Sequence, residues 1–93
     1  MNNKYTIEEM SKNFKALGDP QRVAILLHLK NKEKCACELT EHFQMAQSKL
    51  SYHMKILCES GLVECWYIGK WTHYRLSISG CKRVAEMLEI FME

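Results

Sequence analysis

The sequence predicts a mainly α-helical chain with a small β-hairpin, built as a winged helix-turn-helix with an additional helix at each end. Three observations carry this. The stretch "QMAQSKLSYHMKILCESGL" places Leu50, Met54 and Leu57 on one helical face and Ser48, Ser51, Tyr52, Lys55 and Glu59 on the other, directly after a short helix and a tight connection. The next stretch, "LVECWYIGKWTHYRLS", turns to β-branched and aromatic residues around Gly69-Lys70, a pair suited to a hairpin turn. Apolar residues recur at helical spacing in both terminal segments.

Taken in order, Ile7, Met10, Phe14 and Leu17 form the stripe of a first helix over about residues 5–17. Gly18 is expected to close it in the left-handed conformation that glycine adopts readily. Asp19 then reads as an N-cap with Pro20 at the first helical position. "QRVAILLHLK" is apolar over most of its surface and predicts a central second helix, and "NKEK" a polar connection. The helix-turn-helix spans about residues 35–60, with Ala36, Leu39 and Phe43 on one face of its first helix and Gly61 ending its second. The wing covers about residues 62–77 and the last helix about residues 79–92, where Val84, Leu88 and Phe91 form a stripe widened by Met87 and Met92. The two terminal stripes offer more apolar surface than a short chain easily hides, so the terminal helices are expected to pair two subunits.

The 93 residues suit one domain, residues 1–93, and 26% charged with 47% hydrophobic residues is an ordinary globular balance. No apolar run is long enough to span a membrane, and the start, "MNNKYTIEEM", lacks the apolar core of a signal peptide. A cytoplasmic location and no membrane partner are expected. Five cysteines, an odd number, then argue against a disulfide framework. A net charge of +2 leaves nucleic-acid binding to the local distribution of charge. No spaced nucleophile, base and orienting group emerges, and there is no phosphate-binding glycine loop, so an enzyme is not expected.

The segments "FKALGDPQRVAILLHL", "CACEL", "QSKLSYHMKILCESGLV" and "YIGKWTHYRLS" together resemble the ArsR/SmtB family of metal-responsive repressors over about residues 8–80. The resemblance implies a homodimer formed largely through the first and last helices. It also implies that the dimer sits on double-stranded operator DNA and blocks transcription until an inducer binds. A two-fold dimer prefers an inverted repeat with half-sites about 34–36 Å apart.

The second helix of such a motif enters the major groove. Gln47 carries an amide that can pair with adenine, and Ser48 and Ser51 can reach bases or phosphates. Tyr52 can hydrogen-bond and pack, Lys49 and Lys55 suit phosphates, and Lys70 at the wing tip suits backbone or minor groove. His53 lies beside the inward stripe and reads as a packing or structural residue.

Similar repressors with a cysteine pair at this place sense arsenite, antimonite or soft divalent metals, and Cys35 and Cys37 match that pattern. Soft ions prefer thiolates, and a helix N-terminus with Lys32 and Lys34 nearby favours the thiolate. No cofactor is required for DNA binding; the ion acts as inducer. The third cysteine of the best-known arsenite pattern is replaced by Thr40, which leaves Cys58, Cys65, Cys81 or an external thiol as a third ligand. The last helix has Glu86 and Glu89 but no histidine, so the zinc or nickel set of other members is not expected. Cadmium or lead sensing, thiol redox sensing and a ligand-independent regulator stand as alternatives. Two residues at i and i+2 of one helix point about 200° apart, so an ion bound by both thiols is expected to distort the first turn and misplace the next helix.

Overall fold

The computed structural model describes residues 4–93. Five helices and three short strands follow in the order α1 (Ile7–Leu17), α2 (Pro20–Leu29), β1 (Lys34–Cys35), α3 (Ala36–Phe43), α4 (Gln47–Glu59), β2 (Val63–Ile68), β3 (Trp71–Leu76) and α5 (Ile78–Ile90). This is a winged helix-turn-helix with a helix added at each end. Among the described residues no helix is long and apolar enough to cross a membrane.

Local chemistry sets most boundaries. Thr6 caps α1 by accepting from the Glu9 N–H, and Asp19 caps α2 by accepting from the Gln21 and Arg22 N–H groups at 2.8 and 3.2 Å, with Pro20 in the first turn. Gly18 does close α1, but at φ −85° rather than in the left-handed region. Its N–H bonds the Lys15 carbonyl in a tight turn that leads straight into the Asp19 cap, so the expected conformation is not needed. At the helix ends, φ is positive at Gln44, 51° where α3 gives way to the helix-turn-helix connection, and at Gly61, 84° just after α4.

The core lies under the helix-turn-helix. Leu50, Met54 and Leu57 of α4 are almost completely buried, together with Ile25 and Leu29 of α2 and Leu39 of α3. A smaller cluster joins Tyr5, Met10 and Met87 between α1 and α5. The stripe expected on the last helix divides: Val84 and Met87 face inward, whereas Leu88, Phe91 and Met92 are exposed, as is Ile7 of α1. Val23 and Leu27 of α2 are exposed too, so this helix is less enclosed than its apolar sequence suggests.

Two arginines close the ends of helices from outside. Arg22 of α2 is buried, and its guanidinium donates to the carbonyls of Lys15 and Ala16 at the C-terminus of α1. The Lys15 carbonyl also accepts from the Gly18 N–H, and both carbonyls belong to the last turn of α1, the negative end of its dipole. Arg83 of α5 donates in the same way to the Ser60 carbonyl after α4, at 2.6 Å. The adjoining Gly61 and Gly80 bring two backbones together: a Cβ on Gly80 would lie 2.1 Å from the Gly61 oxygen.

The sheet has three antiparallel strands in the order β1-β3-β2. The hairpin pairs Val63 with Leu76 through to Ile68 with Trp71, and its two-residue loop starts with Gly69 at φ 62°, as a glycine-first hairpin turn requires. Glu64 and Arg75, directly opposite, form an ion pair. The third strand, β1, was not expected; it pairs Lys34 with Tyr74 and Cys35 with His73, and so ties the start of α3 to the wing.

Replacing Arg22 with Met keeps the apolar stem and removes the donors. We expect Arg22→Met to lower unfolding stability by about 2–4 kcal/mol in urea denaturation followed by helical circular dichroism. A loss below about 0.5 kcal/mol would show that the buried guanidinium does not brace the helices.

Candidate nucleic-acid interface and thiol pair

Helix α4 turns one face to the core and the other to solvent. Gln47, Ser48, Lys49, Ser51, Tyr52 and Lys55 are all exposed, and so is Lys70 at the wing tip. The helix begins at Ala46, which has no side-chain acceptor to cap it. Its first N–H groups therefore point outward without a side-chain partner, an arrangement suited to a phosphate oxygen. The wing adds exposed Tyr67, Ile68 and Trp71, with the Lys70 ammonium 5.6 Å from the Trp71 ring centre.

His53 is buried behind this face. Arg22 donates to His53 Nδ1 at 3.2 Å, and because a guanidinium only donates, the ring proton must lie on Nε2, which donates to Gln21 Oε1 at 3.0 Å. Burial pushes the His53 pKa below the ordinary value; the Asp19 carboxylate pulls it back up in part, and the Arg22 and Lys49 charges add smaller lowering effects. The neutral ring thus fixes the rotation of α4 against the first turn of α2. Burial alone would raise the pKa of Asp19, but the N–H groups of Arg22 and Gln21 outweigh it and hold the carboxyl below its usual value.

The cysteines are arranged differently from the expectation of two thiols on one helix. Cys35 lies outside α3, in extended conformation at φ −81° and ψ 161°, and acts as the N-cap. Its sulfur accepts from the Glu38 N–H at 3.3 Å, while its own N–H donates to the Glu38 carboxylate at 2.9 Å. This is a capping box with a thiol in the place usually held by a hydroxyl. Cys37 sits in the first turn, and the two side chains converge, joined here as a disulfide with Cα atoms 5.3 Å apart. The helix need not unwind for both sulfurs to meet one atom, so the 200° separation does not apply.

Cys35 is buried and Cys37 exposed. Cys37 opens on a cavity of about 290 Å³ lined by Ala36, Thr40, Gln47 and Trp71. That cavity places the thiol beside the first residue of α4 and a wing tryptophan. Cys58 and Cys65 line a different cavity, between α4 and the wing, and Cys81 lies between α2 and α5. Burial, then the neighbouring Cys65, pushes the Cys58 thiol up to about 12. Among the described residues no group of three or more Cys, His, Asp or Glu side chains is arranged to hold a metal ion. Glu86 accepts a hydrogen bond from the Tyr5 hydroxyl.

Two features of the site escaped sequence reasoning. The capping role of Cys35 was signalled by Glu38 three residues later, the spacing of a capping box. The approach of Trp71 to Cys37 had no local signal, because it depends on β1 joining the wing.

Residues 19–64 match the family model described as bacterial regulatory protein, arsR family. The chain is similar to the arsenical resistance operon repressor of Bacillus subtilis, with 42% identity over 72 residues, covering 76% of this chain and 69% of that one. It is 40% identical over 83 residues to the repressor of the same name from Staphylococcus xylosus, covering 89% and 80%. Among solved structures it resembles a possible transcriptional regulator for arsenical resistance, with a TM-score of 0.78 at 26% identity, covering 88% of this chain and 85% of that one. The fold, the exposed α4 face and these similarities define one class: the chain belongs to the arsR family of bacterial regulatory proteins, DNA-binding transcriptional repressors and not enzymes.

The His53 site gives a pH dependence of known sign. Its folded-state pKa is below the unfolded value of about 6.5, so its contribution to stability is complete above that pH and is lost as pH falls toward the folded value. His28, depressed first by burial and then by stacked His42, acts in the same direction. Urea midpoints should therefore fall between pH 7.5 and 5.5, and His53→Gln should flatten that fall to the part due to His28. An unchanged slope in the variant would contradict this assignment.

Proposed function

We propose that the protein is a homodimeric repressor that binds an inverted-repeat operator through α4 and the wing and is released when a thiophilic ion, arsenite or antimonite, binds Cys35 and Cys37. It acts in the cytoplasm. Gln47, Ser48, Ser51 and Tyr52 read or flank the bases, and Lys49, Lys55 and Lys70 neutralise phosphates. The exposed Ile7, Leu88, Phe91 and Met92 supply an apolar face for pairing through the terminal helices.

One observation carries the inducer reading: Cys35 belongs to three structures at once. It is half of the thiol pair, the N-cap of α3 and a strand partner of the wing. When its sulfur forms a bond to arsenic or antimony, it is a poorer acceptor for the Glu38 N–H, and the ion pushes into the space shared by Cys37, Gln47 and Trp71. Both DNA-reading elements are touched without unwinding a helix turn. A ligand favouring a conformer that binds DNA poorly must weaken DNA binding, and DNA must weaken the ligand by the same factor.

The disulfide between Cys35 and Cys37 favours a second reading, in which oxidation of the pair is the signal. In that case two thiols give up two electrons and two protons to an oxidant such as peroxide, and the ion-binding dithiol is the reduced state.

The test is fluorescence anisotropy of labelled promoter DNA with reduced protein. Arsenite or antimonite should release the wild type, whereas Cys35→Ser and Cys37→Ser should bind DNA and stay bound. If all three ignore every ion but the wild type responds to peroxide, the redox reading replaces this one.

A further inference from the structure

Three sulfur-bearing side chains line one cavity away from the thiol pair of α3. Met54 and Cys58 lie four residues apart on α4 and so share one face of that helix. Cys65 reaches the same cavity from β2. The cavity, about 340 Å³, lies between the recognition helix and the wing, and Lys55 of the exposed α4 face also lines it. It is open to solvent at Cys65, whereas Cys58 is half-buried behind it. Burial, with Cys65 beside it, holds the proton on Cys58, whose pKa is pushed up to about 12. An ion that binds here must therefore bond to sulfur strongly enough to displace that proton. The donor types decide which ion. Thiolate and thioether are soft ligands and together select monovalent copper. Zinc takes four ligands from Cys, His, Asp and Glu. Glu59 lines the cavity, but among the described residues no third side chain of those types joins the two cysteines in a metal-holding arrangement.

We propose that Met54, Cys58 and Cys65 form a binding site for the cuprous ion, with two thiolates and one thioether as ligands. The site is separate from the thiol pair of Cys35 and Cys37 and does not depend on how that pair is read. Binding is an exchange without change of oxidation state. Two S–H bonds break, two Cu–S bonds form, two protons pass to water, and the thioether adds through a lone pair. A cuprous ion with two thiolates carries a single net negative charge, which the Lys55 ammonium at the cavity offsets. Because Cys58 belongs to α4 and Cys65 to β2, the bound ion ties the recognition helix to the wing.

The experiment is an anaerobic titration of reduced protein carrying Cys35→Ser and Cys37→Ser with Cu(I), delivered as its bicinchoninate complex. The two substitutions remove the other thiol pair, and serine keeps a hydroxyl at the capping position of Cys35. Competition with the chelator gives the affinity, and X-ray absorption at the copper edge gives the ligand atoms. One ion per chain in a shell of sulfur alone is expected, and excess zinc should not displace it. Cys65→Ser, at an exposed position, should weaken binding at least about a hundredfold, the upper end of what losing a partner outside the ligand set costs. Met54→Leu keeps the core volume and removes only the thioether, and should weaken binding about tenfold. Failure to take copper from the chelator, or displacement by zinc, would overturn the proposal. So would unchanged affinity in Cys65→Ser, which would place the ion elsewhere, or in Met54→Leu, which would remove the third sulfur. None of these failures touches the inducer reading, because the tested protein lacks Cys35 and Cys37.

Discussion

The buried guanidinium of Arg22 is the constraint around which the helices are set. A buried charge is costly unless its hydrogen-bond donors are satisfied. Here other elements satisfy them: two carbonyls closing α1 and the Nδ1 of His53 in the middle of α4. One side chain of α2 thereby fixes the end of the first helix and the rotation of the recognition helix. His53 passes the constraint back to α2 through Gln21, so the contact is closed on both sides. The polar face of α4 points outward because its opposite face is held by this network as well as by Leu50, Met54 and Leu57.

Cys35 plays a comparable part on the other side of the motif. A hydroxyl would cap α3 as well or better, so capping alone does not explain a thiol at this position. The strand pairing of Cys35 with His73 and the proximity of Cys37 to Gln47 and Trp71 give the sulfur a further consequence. In the proposed function, chemistry at the pair acts on the cap, on the strand that joins the wing, and on the cavity shared with the start of α4. The recognition helix itself lacks a side-chain cap, so its first N–H groups have no side-chain partner, an arrangement suited to a phosphate oxygen.

Much of this was legible in the sequence. The inward and outward faces of α4, the Asp19-Pro20 start of α2 and the Gly69-Lys70 turn each follow from a local pattern with a single physical reading. The misses came from tertiary or very short features. A two-residue strand such as β1 has no periodicity to detect. The spacing of Cys35 and Cys37 alone suggests one helix, whereas Glu38 three residues after Cys35 marks the cap that sets Cys35 outside it. Residue type alone suggests a left-handed Gly18, whereas the immediate restart at Asp19 needs only a simple turn. The buried pairing of Arg22 with His53, 31 residues apart, has no sequence signal beyond the placing of His53 beside the inward stripe.

The most direct test of coupling between the thiol pair and the DNA-reading surface is a complete linkage cycle. The affinity of the reduced protein for arsenite is measured with and without saturating operator DNA, and its affinity for DNA with and without saturating arsenite. The account predicts that DNA weakens the arsenical by the same factor, fivefold or more, by which the arsenical weakens DNA, roughly the lower end of ordinary allosteric coupling. Equal arsenical affinity in the free and DNA-bound protein would show that the pair and the recognition surface are independent, and would contradict it.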